Sequence, residues 1–327
     1  MKIGVIGLGS MGKRRLRLLA EFFPEIILIG VDSRKDRQEE VKKSFNIKTF
    51  ESLQEAVKEG QIGAVCICTS PISHESIILE SLRIGLHVFT EINLLNNYYE
   101  EAIQLAKEKK LHLYLSSTFL HRREIKLFEK AIQQDPKVTY RYHVGQYLPD
   151  WHPWESYKDF FVANKKTNGC REIFAIELPW ISKVFGEIKS FELQKQKISK
   201  LDIDYPDNYA LIVKHESGII GTLNVNILSR VAKRDLDIIG EKTQISWDGS
   251  PDGLYQWDED TKKMVKKDLY TGYIDNKNYS NTIIEDAYLE EIKEYVALLK
   301  GETKITVYSF EKDKAIIELI NQFEEDL

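Results

Sequence analysis

Cysteine is scarce in this chain: 327 residues carry three, Cys66, Cys68 and Cys170. An odd number excludes a closed disulfide framework, and with neither Cys-x-x-Cys spacing nor a histidine cluster nearby, no metal site is expected. Cys66 and Cys68 alternate along an apolar run and read as small core residues, which fits a reducing, cytoplasmic compartment. No apolar run is long enough to cross a bilayer, and no charged-then-apolar leader precedes the first strand pattern, so neither membrane insertion nor secretion is expected. Basic excess is also missing. The formal net charge of -5 gives no global field to attract nucleic acid. Internal repeats and low-complexity segments are absent too. What remains is ordinary globular composition, 43% hydrophobic and 30% charged, in a chain long enough for two domains.

The most informative stretch is Lys2-Ile3-Gly4-Val5-Ile6-Gly7-Leu8-Gly9-Ser10-Met11-Gly12. An apolar strand runs into glycines spaced G-x-G-x-x-G, and Lys13 to Leu19 continues as a helix. In that pattern Gly7 makes the tight turn, Gly9 lets backbone approach a pyrophosphate and Gly12 lets helix pack on strand. The backbone N–H groups of Ser10, Met11 and Gly12 would then face the phosphates. Asp32 closes the next apolar run, at the distance where an acidic residue meets a ribose. The basic run Lys13-Arg14-Arg15 is either a phosphate contact or a solvated helix face.

Strand and helix patterns alternate through the first third: strands near 48–50, 64–68, 87–90 and 111–115, and helices near 34–44, from 52, and over 73–84 and 97–109. Such alternation predicts a parallel, doubly wound α/β sheet, with ligand at the strand C-terminal ends where Gly9, Asp32, Thr69 and Glu91 fall. From about Lys137 strand-like runs follow one another: 138–144, 188–194, 209–215, 219–226, 236–239 and 243–247. They predict an open, mainly antiparallel sheet in an α+β second domain. Helices near 284–299 and 311–324 close the chain. The expected division is residues 1–120 for the dinucleotide domain and 121–327 for substrate binding and oligomerisation. His121-Arg122-Arg123 would start the last helix beside the first sheet.

These residues carry a resemblance. The Gly7 motif, Thr69-Ser70-Pro71 followed by His74, Gly85-Leu86-His87-Val88-Phe89-Thr90-Glu91, the Gly240-Glu241-Lys242 turn and the Glu-rich Tyr288-Leu289-Glu290-Glu291 helix resemble the Gfo/Idh/MocA family of NAD(P)-dependent oxidoreductases. The resemblance implies an N-terminal Rossmann domain, a C-terminal open sheet through which relatives form dimers or tetramers, a cofactor contact at His74, and a small-molecule substrate. Tyr147-Leu148-Pro149-Asp150-Trp151-His152-Pro153-Trp154-Glu155 is similar to members acting on sugars or nucleotide sugars in surface-polysaccharide metabolism. Asp32 favours NAD, while Ser33-Arg34 could hold the 2′-phosphate of NADP.

The family's proton-transfer groups are not where the resemblance puts them. Its usual Glu-Lys-Pro reads Glu91-Ile92-Asn93, and its Asp-x-x-x-His on the first helix of the second domain reads Glu172 to Ile176. Isoleucine moves no proton, yet alcohol oxidation needs a base. The candidate replacements are His152, Glu172, Glu177 and Arg171, with Tyr147, Tyr157 and Lys158 behind them. His152 could instead pack on tryptophan. Arg171 and Glu172 could serve the helix start, and Glu177 could be a solvated face residue. Three functions follow: an oxidoreductase with a displaced acid/base, a redox-neutral sugar enzyme that keeps its dinucleotide, or a binding protein without chemistry.

Overall fold

The computed structural model describes residues 1–152, 155–270 and 284–325. Two compact units emerge: residues 1–117 with 289–317, and residues 118–288 with 318–327.

The first unit alternates β1 (Lys2–Ile6), α1 (Ser10–Phe22), β2 (Ile27–Val31), α2 (Lys35–Phe45), β3 (Lys48–Phe50), the short α3 (Leu53–Glu55), β4 (Ala64–Ile67), α4 (His74–Arg83), β5 (His87–Thr90), α5 (Tyr99–Lys109) and β6 (Leu113–Leu115). Its strands pair in the order β3-β2-β1-β4-β5-β6, all parallel. Buried on both faces, β1 and β4 are runs of small and branched apolar residues, as a helix-covered parallel sheet requires. The order reverses between β1 and β4, and a crevice at such a switch point is where dinucleotides bind in this architecture.

In the second unit, α6 (Arg123–Gln134), β7 (Val138–Gly145) and α7 (Gly169–Phe185) precede β8 (Ile188–Gln196), β9 (Asn208–His215), β10 (Ile220–Asn226), β11 (Lys233–Gly240), β12 (Gln244–Trp247), β13 (Leu254–Asp258) and β14 (Lys263–Lys266). The sheet order is β14-β13-β12-β11-β7-β10-β9-β8, antiparallel except for the β7/β10 pair. Tyr140, Tyr142 and Val144 of β7 are buried, while Thr139 and Arg141 are exposed. That alternation gives the sheet one covered face. The helix α7 is nearly all buried and packs on β9 and β10, with Asn168 Oδ1 accepting from Arg171 N–H at its start (2.8 Å) and Gly186 at φ +96° ending it.

Two expectations change. The helices α8 (Glu285–Leu299) and α9 (Phe310–Glu324) do not belong wholly to the second domain, because residues 289–317 join the first unit. Ile292, Tyr295, Val296 and Leu298 complete an apolar cluster with Ile3, Cys66, Phe89 and Tyr114, burying a helix face that would otherwise stay wet. Conversely, α6, expected beside the first sheet, belongs to the second unit. The strands β13 and β14 were not foreseen: they are short and largely exposed, so they show little apolar alternation.

Candidate functional site

The first unit builds a cradle from glycine geometry. Gly7 sits at φ +87°, and a Cβ there would lie 2.8 Å from the Cys68 carbonyl oxygen. A Cβ on Gly12 would come within 1.9 Å of the Gly7 carbonyl oxygen. Both positions therefore admit only glycine, as the helix-to-strand contact demands. Gly9 differs, since only the Arg37 guanidinium lies near its missing Cβ, at 3.6 Å. The space beside Gly9 is thus kept open where backbone must approach a diphosphate. Gly9 offers α1 no side-chain cap and the first turn no acid, so the N–H groups of Ser10, Met11 and Gly12 are left for an anion. These residues fit a dinucleotide.

Asp32 closes the site. Its Oδ2 accepts from Leu8 N–H (2.7 Å) and its Oδ1 from Arg34 N–H (2.9 Å), which ties the glycine loop to the end of β2. A carboxylate has lone pairs to spare beyond those two bonds, so ribose hydroxyls can still donate to it. Ser33 and Arg34 are exposed, and the Arg34 guanidinium is engaged by Asp36. The cation beside Asp32 is Arg37, at 3.6 Å. Sequence reasoning passed over Arg37, although its place in the first turn of α2, directly after the β2 acid, was the available signal. Replacing Asp32 by Asn should weaken NADH by about tenfold, the worth of one charged hydrogen bond, and leave NADPH less affected. Calorimetric titration with both dinucleotides would show it, and equal losses for the two would sink this role.

Thr69 packs its methyl group against Gly7, and its Oγ1 accepts from Ser73 Oγ (2.8 Å). His74 is fully buried, so it supports this loop rather than meeting a cofactor as expected. Its Nε2 lies 3.1 Å from the Thr69 carbonyl oxygen and its Nδ1 lies 2.7 Å from the Asn93 amide. Burial holds the imidazole below its ordinary pKa, hence neutral. A neutral ring donating from Nε2 needs a donor at Nδ1. Turning the Asn93 amide so that Nδ2–H points there supplies it and also satisfies an otherwise orphaned Nδ2.

The basic run divides between surface and interior. Lys13 pairs with Glu40 at the surface, but Arg14 and Arg15 are buried. Arg15 Nε donates to Glu91 Oε1 (2.7 Å), and its Nη2 donates to Glu291 Oε2 (2.5 Å) and Ser116 Oγ (3.3 Å). Glu291 Oε1 accepts in turn from Ser117 N–H (2.7 Å) and Ser116 Oγ (3.0 Å). Glu91, expected as a cofactor contact, is therefore committed to an internal ion cluster that fastens α8 to the first sheet. Next to it, Ile92 holds the position where the resemblance puts lysine.

In the second unit, the loops at the C-terminal ends of β7 and β10 gather several candidates. Tyr147 N–H donates to the Ser229 carbonyl (2.7 Å) and Leu148 N–H to the Ile227 carbonyl (3.0 Å). Leu148, Trp151 and Ile227 then crowd Gly169 at the start of α7. His152 lies in this segment, hydrogen-bonded through Nδ1 to Glu155 (2.7 Å) and resting on Phe160. Pro153 and Trp154 lie outside the described residues. Tyr147 lies under the Arg230 guanidinium (3.6 Å), and Tyr157 Oη accepts from Asp202 N–H (3.1 Å). Lys158 is exposed and its pKa is raised by its hydrogen bond to Asp202, the opposite of what an activated lysine needs.

Two of the four catalytic candidates prove structural. Arg171 is buried against Glu324 and Asn321 (2.7 Å to the latter), pinning the end of α9 to α7. Glu177 is no solvated face residue: it is fully buried, accepting from Tyr142 Oη (2.7 Å), Trp180 Nε1 (2.7 Å) and Arg234 Nε (2.9 Å). Glu172 is different. Among the described residues its Oε2 has no hydrogen-bond partner, and burial pushes its pKa up to about 8. One turn on, the half-buried Ile176 offers no proton.

Comparison with known proteins agrees with this geometry. Residues 1–116 match the model of an oxidoreductase family with an NAD-binding Rossmann fold. Myo-inositol 2-dehydrogenase from Thermotoga maritima is 28% identical over 136 residues, a match spanning 41% of this chain and 41% of that protein. Among solved structures, an NAD binding oxidoreductase from Klebsiella pneumoniae superposes with a TM-score of 0.76 at 17% identity, covering 99% of this chain and 96% of its own. The WlbA dehydrogenase from Bordetella pertussis, solved with NADH and UDP-GlcNAcA, gives a TM-score of 0.74 at 14% identity, covering 99% and 95%. At these identities the structural likeness establishes the fold. Residues 1–116 thus form an NAD-binding Rossmann domain of the Gfo/Idh/MocA oxidoreductase type.

Proposed function

We propose that the protein is an NAD(P)-dependent oxidoreductase of a sugar, polyol or nucleotide sugar in which Glu172 is the acid/base. The observation that carries this is the Glu172 carboxyl: partly buried on a largely buried helix, with an oxygen unclaimed by the described residues and a pKa near the working range. A carboxylate in that state can accept a hydroxyl proton as the carbinol is oxidised and return it in the reverse direction. The dinucleotide, when bound, supplies the hydride acceptor. Asp32 and the Gly7 to Gly12 loop position it, while Ile92 and Ile176 contribute no proton. The sugar-type substrate is supported by the myo-inositol 2-dehydrogenase match and by the WlbA likeness. Preference for NAD over NADP rests on Asp32.

His152 is the second candidate base, held in an exposed pair with Glu155. Exposed Ile212, Ile220, Ile239, Tyr255 and Val265 along the sheet of the second unit support a homodimer or homotetramer. Incubating the purified protein with NAD and a panel of hexoses, inositols, uronates and nucleotide sugars should raise absorbance at the reduced-nicotinamide band for at least one of them. Tight dinucleotide binding with no turnover of any would instead favour a redox-neutral or binding role.

A further inference from the structure

Arg234, the second residue of β11, lies on the covered side of the sheet, opposite Val144 of β7. Its Nε is spent on the buried Glu177 carboxylate at 2.9 Å, and its guanidinium lies 4.8 Å from the Phe119 ring centroid. Glu177 is itself filled, by Tyr142 and Trp180, so it cannot swing to take more of the arginine. The path of the side chain is kept clear by Gly249 (φ +87°), where a Cβ would come 2.5 Å from Arg234 Cβ. Held at its base in this way, the guanidinium cannot wander. Among the described residues Nη1 and Nη2 meet no acceptor, and the side chain keeps 24% exposure. The neighbouring arginine of this patch, Arg122, is spent on Glu124 and the Gly249 carbonyl, so it does not compete.

The geometry assigns to Arg234 the binding of an oxyanion, a carboxylate or phosphate carried by the substrate. An arginine fixed through Nε presents its two terminal nitrogens as a fork, and that fork matches two oxygens of such a group. The rotamer entropy that a loose arginine loses on binding has already been lost to Glu177 and Phe119. This assignment builds on the sugar oxidoreductase reading, because it names the feature that would set acidic sugars apart from neutral ones.

The test is a set of calorimetric titrations of the full chain, saturated with NAD, using D-glucuronate, D-glucose 6-phosphate and D-glucose. The native protein should bind at least one of the acidic sugars roughly tenfold to a hundredfold tighter than glucose, the worth of a forked charged contact. Whichever acid gains names the oxyanion. The ratio should fall towards one in Arg234→Lys, which keeps a cation beside Glu177 but loses the fork. The double variant Arg234→Gln with Glu177→Gln, which strands no buried charge, should behave the same way if the single variant fails to fold. A native ratio near one, or a ratio unchanged in the variants, overturns the assignment. An intact ratio with no NAD reduction by any of the three sugars would count against the redox reading and leave the anion site standing.

Discussion

Replacing Arg15 by Met should lower the unfolding free energy by about 3–5 kcal/mol, the usual consequence of stranding buried charge. Arg15 and Glu291 are fully buried and Glu91 keeps only 12% side-chain exposure, so solvent can relieve the cluster only at Glu91. Burial alone would lower the guanidinium pKa, but Glu91 and Glu291 outweigh it and hold it well above its ordinary value. The arginine thus stays charged at any working pH, and the variant leaves two carboxylates facing one another without a cation. A denaturant titration would report a shifted midpoint at unchanged slope. The triple variant Arg15→Met, Glu91→Gln, Glu291→Gln should recover most of the loss, because it removes the charges together with their partner. A single variant within about 0.5 kcal/mol of native, the scale of an ordinary surface substitution, would show that the cluster is solvated rather than buried.

That cluster marks the limit of what could be read from the chain alone. The periodicities that predict the first sheet are local, and each strand from β1 to β6 appears within a few residues of its expected place. Gly7, Gly9, Gly12 and Asp32 were legible for the same reason, since a turn and a strand end are properties of short stretches. Arg15 was not, because its partners Glu91 and Glu291 are distant in sequence and only the tertiary fold brings α8 to them. Glu177 and Arg171 misled in the same way. A carboxylate on a helix looks available until a strand tyrosine, a neighbouring tryptophan and a β11 arginine are seen to fill it. Polar character is written in the sequence, but whether a polar group is already satisfied depends on contacts across the fold.

Glu172 keeps a carboxylate oxygen without a hydrogen-bond partner among the described residues, and the expected result for Glu172→Gln is a fall in kcat of about a hundred- to ten-thousandfold with KM changed far less. The amide keeps the size of the side chain and one acceptor but takes no proton. In the native enzyme, sugar oxidation should rise with pH and level off above about 8, where the carboxylate form prevails. The variant's residual rate should lack that limb. Stability gives an independent reading of the same carboxyl. Because the folded-state pKa lies above the ordinary glutamate value, the native state holds a proton that the unfolded chain has released. The stabilisation from that proton is complete below about pH 4.3. It is lost progressively as pH rises through about 8. Glutamine has no such loss, so melting curves should show the variant gaining on the native protein between pH 5 and pH 9 while its turnover stays low. A catalytic loss accompanied by equal destabilisation at every pH would mean that the side chain only packs α7, and would pass the acid/base role to His152.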